Sequence, residues 1–157
     1  MEKIPMTADG LSALEEELRR LKFVERHEVT KAIGVAREHG DLSENAEYHA
    51  AREKQSFIEG RVLELESIIS LADVIDPKKI SGDVVRFGAT VELADEDTDE
   101  EYTFQIVGTH EASVEDGRLS ITSPTARALI GKSLGDSIEV TTPGGSKSYE
   151  IIKVDYK

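Results

Sequence analysis

Asp41 and Glu44 stand three residues apart in the polar segment Gly40-Asp41-Leu42-Ser43-Glu44-Asn45. Two carboxylates at this spacing can converge on one side of a turn. There they would form half of a Mg²⁺ site, with the remaining ligands supplied by water and a substrate phosphate. Joined to a metal held elsewhere, such a half-site could serve two-metal hydrolysis of a phosphodiester. The spacing also has a purely structural reading. Asp-Leu-Ser-Glu matches a capping box, with Asp41 as N-cap and Glu44 at N3, each satisfying a free amide of a following helix. Ser43 is an alternative N-cap, which would release Asp41. Spacing leaves these readings open.

Basic residues flank the segment: Arg37 before it, Arg52 and Lys54 after it, with His39, Tyr48 and His49 nearby. They read as a solvated mixed-charge face, or as a small patch that steadies a single RNA strand with Tyr48 able to stack. Other chemistry fails. His39, Asp41, Glu44 and His49 match no standard zinc spacing. Gly131-Lys132-Ser133 resembles the end of a phosphate-binding loop, but the required upstream glycine position holds Ala126, and a helix precedes it instead of following. No Ser or Thr stands in a defensible triad with His and an acid.

The polar segment interrupts two heptad patterns. Thr7 can N-cap the first helix, and Asp9 suits its first turn. Leu11, Leu14, Leu18 and Leu21 make a seam that slips near Val24 and resumes with Val29, Ala32, Ile33 and Ala36. Gly40 stands where a left-handed terminator is expected. In the second helix Ala51, Ile58, Leu65 and Ala72 recur every seven residues, with Gln55, Val62 and Ile69 between them; its end is expected near Asp73, with Pro77 barring continuation. So short a break favours an antiparallel hairpin whose tip is residues 40–45. At ~1.5 Å per residue each arm is about 45 Å long, too long to be explained by packing on a small domain.

After Val84 the period becomes two. Strands are expected over 89–93, 102–107, 137–141 and 149–155. The acidic run 95–101 reads as a solvated hairpin loop. One short helix is expected at 126–130, with Ser123 as N-cap, Pro124 at the first helical position and Gly131 closing it. The expected organisation is an antiparallel α-helical coiled-coil hairpin over 1–75, a linker at 76–82, and an α+β domain over 83–157 with an antiparallel sheet packed on one short helix.

The 157 residues carry a net charge of −13, which argues against independent binding to a nucleic-acid backbone. Any such role must be local or borrowed from a partner. The chain has no Cys, which fits a reducing cytoplasm. The first six residues lack an apolar signal region, and no stretch is long enough to cross a membrane.

Several segments together carry a family resemblance: 36–53 (Ala-Arg-Glu-His-Gly-Asp-Leu-Ser-Glu-Asn-Ala-Glu-Tyr-His-Ala-Ala-Arg-Glu), Phe87-Gly-Ala-Thr-Val91, Ser123-Pro-Thr-Ala-Arg-Ala-Leu-Ile-Gly-Lys132 and Thr142-Pro-Gly-Gly145. On these the chain resembles the Gre transcript cleavage factors of bacterial RNA polymerase, the GreA type most of all. The resemblance implies a C-terminal domain similar to FKBP-type prolyl isomerases, which docks at the rim of the polymerase secondary channel. It implies a coil that carries its tip to the active centre, where the polymerase hydrolyses the 3′ end of backtracked RNA. Asp41 and Glu44 are then the acidic pair: Asp41 helps hold a Mg²⁺ shared with the polymerase, and Glu44 positions or activates the attacking water. Arg52 and Arg37 match the basic patch for RNA, and Ser123 and Pro124 a segment implicated in docking. The chain is then no enzyme itself but a cytoplasmic factor, monomeric when free, with no stably bound cofactor. The rival expectations are a Gre-like inhibitor that blocks the channel and a non-catalytic coiled-coil adaptor.

Overall fold

The structure, a computed structural model, describes residues 2–41 and 45–157. The chain divides into two compact units. One is built on Leu11–Ala72, and the other joins Lys3–Gly10 to Asp73–Lys157.

The first unit is the helical hairpin. Its first arm runs through α1 (Ala8–Arg20), a π-helical turn over Leu21–Glu25, and α2 (Arg26–Arg37). Its second arm is α3 (Ala46–Ser70). Leu14, Leu21, Val29, Ile33 and Ala36 are buried on the first arm, against Ala51, Ile58, Val62, Leu65 and Ile68 on the second. The slip in the heptad pattern has a structural cause. Leu21 and Val29 are eight residues apart, one more than a heptad, and the extra residue is taken up in the π turn, where the Arg26 N–H donates to the Leu21 carbonyl. The seam thereby stays on one side of the arm.

Details of the seam differ from the sequence pattern. Ala32 is exposed, Leu11 and Leu18 are half-buried, and Ile68 takes the buried place expected for Ile69. The second helix ends at Ser70, short of Asp73, because Ala72–Val74 forms a strand (β2) that pairs with β1 (Ile4–Met6). Strands of three residues are too short to show a period.

The second unit holds a five-stranded sheet in the order β5-β4-β3-β7-β6. Its strands are β3 (Thr90–Asp95), β4 (Glu101–Val107), β5 (Arg118–Ser120), β6 (Ser137–Thr142) and β7 (Gly145–Asp155). Short helix α4 (Pro124–Leu129) packs on it, and Val85, Val91, Leu93, Ile106, Leu129 and Ile151 are fully buried in the shared core. The sheet is mixed, not wholly antiparallel, since β5 lies parallel to β4. The chain after β4 doubles back through a 3₁₀ turn (Val114–Asp116) and Gly117 at φ +73°, whose carbonyl accepts the Gln105 N–H at 2.7 Å.

Two boundaries need correction. Residues 3–10 belong with the second unit, not with a continuous coil over 1–75. Met6 is buried, the Ile75 N–H donates to its carbonyl at 2.9 Å, and the Glu111 carboxylate accepts from the Thr7 N–H (2.8 Å), the Thr7 hydroxyl and the Gly108 N–H (3.2 Å). Nothing local in the sequence announces a bond between residues 104 positions apart. The 76–82 linker is also partly folded: Asp76 accepts the Lys78 N–H at 3.0 Å to cap a 3₁₀ turn, and Pro77 is buried. The acidic loop is a tight hairpin turn. Asp95 is only 4% exposed, and its Oδ1 accepts the N–H groups of Asp97 (2.8 Å) and Thr98 (3.2 Å).

The π turn yields a test. Deleting Val24 sets Leu21 and Val29 seven residues apart, so an ordinary α-helix can carry the seam. That variant is expected to keep its helical circular dichroism and to unfold within about 1 kcal/mol of the parent in urea. Deleting Ser56 from regular α3 rotates the seam by roughly 100° and is expected to dissolve the hairpin. Equal loss in both variants would overturn this account of the slip.

Candidate functional site

The tip is set by how the two arms end. Past Arg37 the Glu38, His39 and Gly40 N–H groups donate back to Val35 (3.1 Å), Ala36 (3.1 Å) and Arg37 (3.4 Å). Gly40 has φ +100°, a left-handed conformation in which a Cβ is strained, so it breaks the helix as its position suggested.

The second arm is capped by Asn45. This residue is extended (φ −85°, ψ 100°), and its Oδ1 accepts the Tyr48 N–H at 3.1 Å. Its Nδ2 donates to the Ala36 carbonyl at 2.7 Å. With the N-cap of α3 at Asn45, N3 is Tyr48; the expected Asp41–Glu44 capping box and the alternative cap at Ser43 involve residues outside the described ones. Asp, Ser and Asn are near-equal N-caps by preference, so the motif could not rank them. Asn45 adds what an ionised Asp cannot, a donor that reaches the other arm.

Asp41 is exposed and lines a shallow hollow with His39, Asn45, Ala46 and Glu47. His39 Nε2 lies 3.8 Å from a Glu47 carboxylate oxygen. Leu42, Ser43 and Glu44 lie outside the described residues. Arg37 is the last residue of α2 and is exposed. Arg52 is exposed on α3, about 10 Å of helix rise beyond Asn45, and its Nη1 donates to Gln55 Oε1 at 3.0 Å. The rings of Tyr48 and His49 meet edge-on at 5.6 Å. Among the described residues no three His, Asp or Glu side chains gather as a metal site would require. Asp41 is exposed and carries the hard oxygen donor type that Mg²⁺ prefers.

Ser123 and Pro124 belong to the second unit. The Ser123 hydroxyl accepts the Ala126 N–H at 3.2 Å, and Pro124 opens α4 with its ring exposed. Ser123 therefore has a capping role whatever else it does. Asn45 is the tip residue that motif reading missed. The signal was present: an N-cap residue type directly before the uninterrupted helical pattern.

A family model described as "Transcription elongation factor, N-terminal" matches residues 4–74, and one described as "Transcription elongation factor, GreA/GreB, C-term" matches 79–156. The chain belongs to the GreA/GreB family of transcription elongation factors. It is 69% identical over 156 residues to the transcription elongation factor GreA of Ruegeria pomeroyi, covering 99% of each chain. Against that of Rhodospirillum rubrum it is 64% identical, again over 99% of each. A solved structure of GreA factor homolog 1 from Thermus thermophilus is 29% identical, covers 98% of this chain and 99% of that one, and has a TM-score of 0.44. The acidic tip lies within the N-terminal family match, and Ser123 and Pro124 within the C-terminal one. No helix among the described residues is long and apolar enough to cross a membrane.

Gly40 offers a test of the tip geometry. A Cβ built there meets no atom within 4 Å, so Gly40→Ala probes backbone strain alone. The variant is expected to lose about 1 kcal/mol in thermal or urea unfolding. No loss would show that the left-handed turn is dispensable.

Proposed function

We propose that this elongation factor enters the secondary channel of bacterial RNA polymerase and stimulates the polymerase's own cleavage of backtracked RNA. The observation that carries this reading is the placement of an exposed Asp41 at the turn between the two arms, with Arg37 and Arg52 exposed on the helices that flank it. The charge balance supports it too. A chain at −13 gains little from RNA on its own, so the RNA must be presented by a partner.

In this reading Asp41 contributes a carboxylate ligand at the polymerase centre, and Glu44 takes the proton of the attacking water. The shared Mg²⁺ supplies charge neutralisation at the scissile phosphate and a more acidic bound water. Arg37 and Arg52 hold phosphates of the extruded RNA, and the Ser123-Pro124 start of α4 contacts the channel rim. The factor is a monomer when free and contributes preorganisation: groups held where the polymerase alone places them poorly.

Backtracked complexes made with purified polymerase test the proposal. The wild-type chain is expected to accelerate 3′-end cleavage. Asp41→Asn should cut the stimulation by at least about tenfold, with part of the deficit recovered as Mg²⁺ is raised. Arg52→Ala should weaken cleavage while competing normally for polymerase. Slowed elongation without added cleavage by the wild type would instead indicate a channel-blocking inhibitor. Undiminished activity of both Asp41→Asn and Glu44→Gln would leave only an adaptor role.

A further inference from the structure

We infer that Asn45 is a positioning residue for the acidic tip: one side chain that caps the second arm and ties it to the end of the first. This inference rests on the cleavage-stimulating reading for its functional consequence, but not for its structural one.

The two hydrogen bonds point in opposite directions along the chain. Oδ1 accepts from Tyr48, in the first turn of α3, at 3.1 Å. Nδ2 donates to the carbonyl of Ala36, in the last turn of α2, at 2.7 Å. Ala36 is 2% exposed and is the last seam residue of its arm. Its carbonyl is one of the groups a helix end leaves without an intrahelical partner of full quality, since it also receives the His39 N–H at 3.1 Å. The segment that runs from Ala36 to Asn45 contains both tip acids. Its two ends are held by a neutral side chain that is itself half-buried between them. A catalytic carboxylate is useful only if the supporting residues restrict it to well under an ångström of its working place, and a misplacement of about 1 Å can cost a hundredfold in rate. The hairpin seam ends at Ala36 on one arm and Ala51 on the other, and Asn45 carries the contact between the arms beyond it.

The two bonds can be separated chemically. Asn45→Asp keeps an N-cap acceptor for Tyr48 but cannot donate to Ala36 when ionised. Asn45→Ala loses both. Asn45→Asp also adds a negative charge beside the hollow, which by electrostatics alone would lower the Mg²⁺ requirement of the tip. Loss of positioning raises that requirement, so the two effects have opposite signs.

Two measurements decide the matter. The first is amide hydrogen exchange on the free chain. In Asn45→Asp the amides of His39 and Gly40 are expected to exchange at least roughly tenfold faster than in the wild type, while Tyr48 keeps its protection. The second is cleavage of a backtracked complex across Mg²⁺ concentration. Asn45→Asp is expected to lower the maximal stimulated rate by roughly tenfold to a hundredfold and to need more Mg²⁺ for half-effect. Its competition for polymerase should stay as in the wild type. Unchanged exchange at His39 and Gly40 would overturn the tie between the arms, whatever cleavage does. Changed exchange with a wild-type rate and Mg²⁺ profile would overturn the positioning role. Failure of the wild type itself to stimulate cleavage would count against the functional reading and leave the exchange result to stand or fall alone.

Discussion

A hairpin of two helices has one seam in which to hide apolar side chains and no further layer behind it. Among the described residues ten buried ones, five from each arm, line that seam. Burying a large aliphatic side chain contributes about 1.5–3 kcal/mol, so the seam outweighs everything else in the unit. The inter-arm ion pairs are of another order. Arg26 meets Glu59 through two bonds at 2.8 and 2.9 Å, and Arg61 grips Glu17 at 2.7 to 3.1 Å, all partly in solvent. Hydrogen bonding to these carboxylates raises the pKa of both guanidinium groups above the ordinary arginine value. Pairs of this kind are worth roughly 0–1 kcal/mol each. Their geometry selects which residues of the two arms stand opposite one another, the role such charges have in coiled coils generally.

The tip follows from that register. Once Val29, Ile33 and Ala36 are committed to the seam, the end of the first arm has a fixed height and rotation. The π turn over Leu21–Glu25 serves the same end by absorbing the one residue that would otherwise swing Val29 out of the seam. Only then does the Ala36 carbonyl come within reach of Asn45. A change far down the arm, if it rotated the seam, would therefore be felt at the tip.

Much of this was legible because seams and caps are local. The heptads placed both arms, the slip at Val24 marked the π turn, Gly40 marked the helix stop, and Ser123-Pro124 marked the start of α4. The alternation of Val91 and Leu93 on the buried face of β3 placed the sheet. What escaped notice depends on partners distant in sequence. Glu111 reads as an ordinary surface acid until Thr7 is beside it, and β5 shows no period because three residues cannot carry one. The cap of α3 is different in kind. Asp41, Ser43 and Asn45 are N-cap residue types within five residues, and preference alone does not rank them. Asn45 is the one directly before the uninterrupted helical pattern, and its side chain accepts the Tyr48 N–H.

The chemical identity of the cap bears on how such a tip can work. An aspartate at position 45 would gain from the positive end of the α3 macrodipole, by about 0.3–1 kcal/mol. It would also put a further carboxylate beside Asp41 and Glu47, which line the same hollow. In the proposed reading the tip must approach RNA phosphates, and each surplus carboxylate opposes that approach. An asparagine gives up the dipole term, keeps the acceptor for Tyr48 and gains a donor for Ala36. Neutrality and bidirectional bonding thus favour the same residue at position 45.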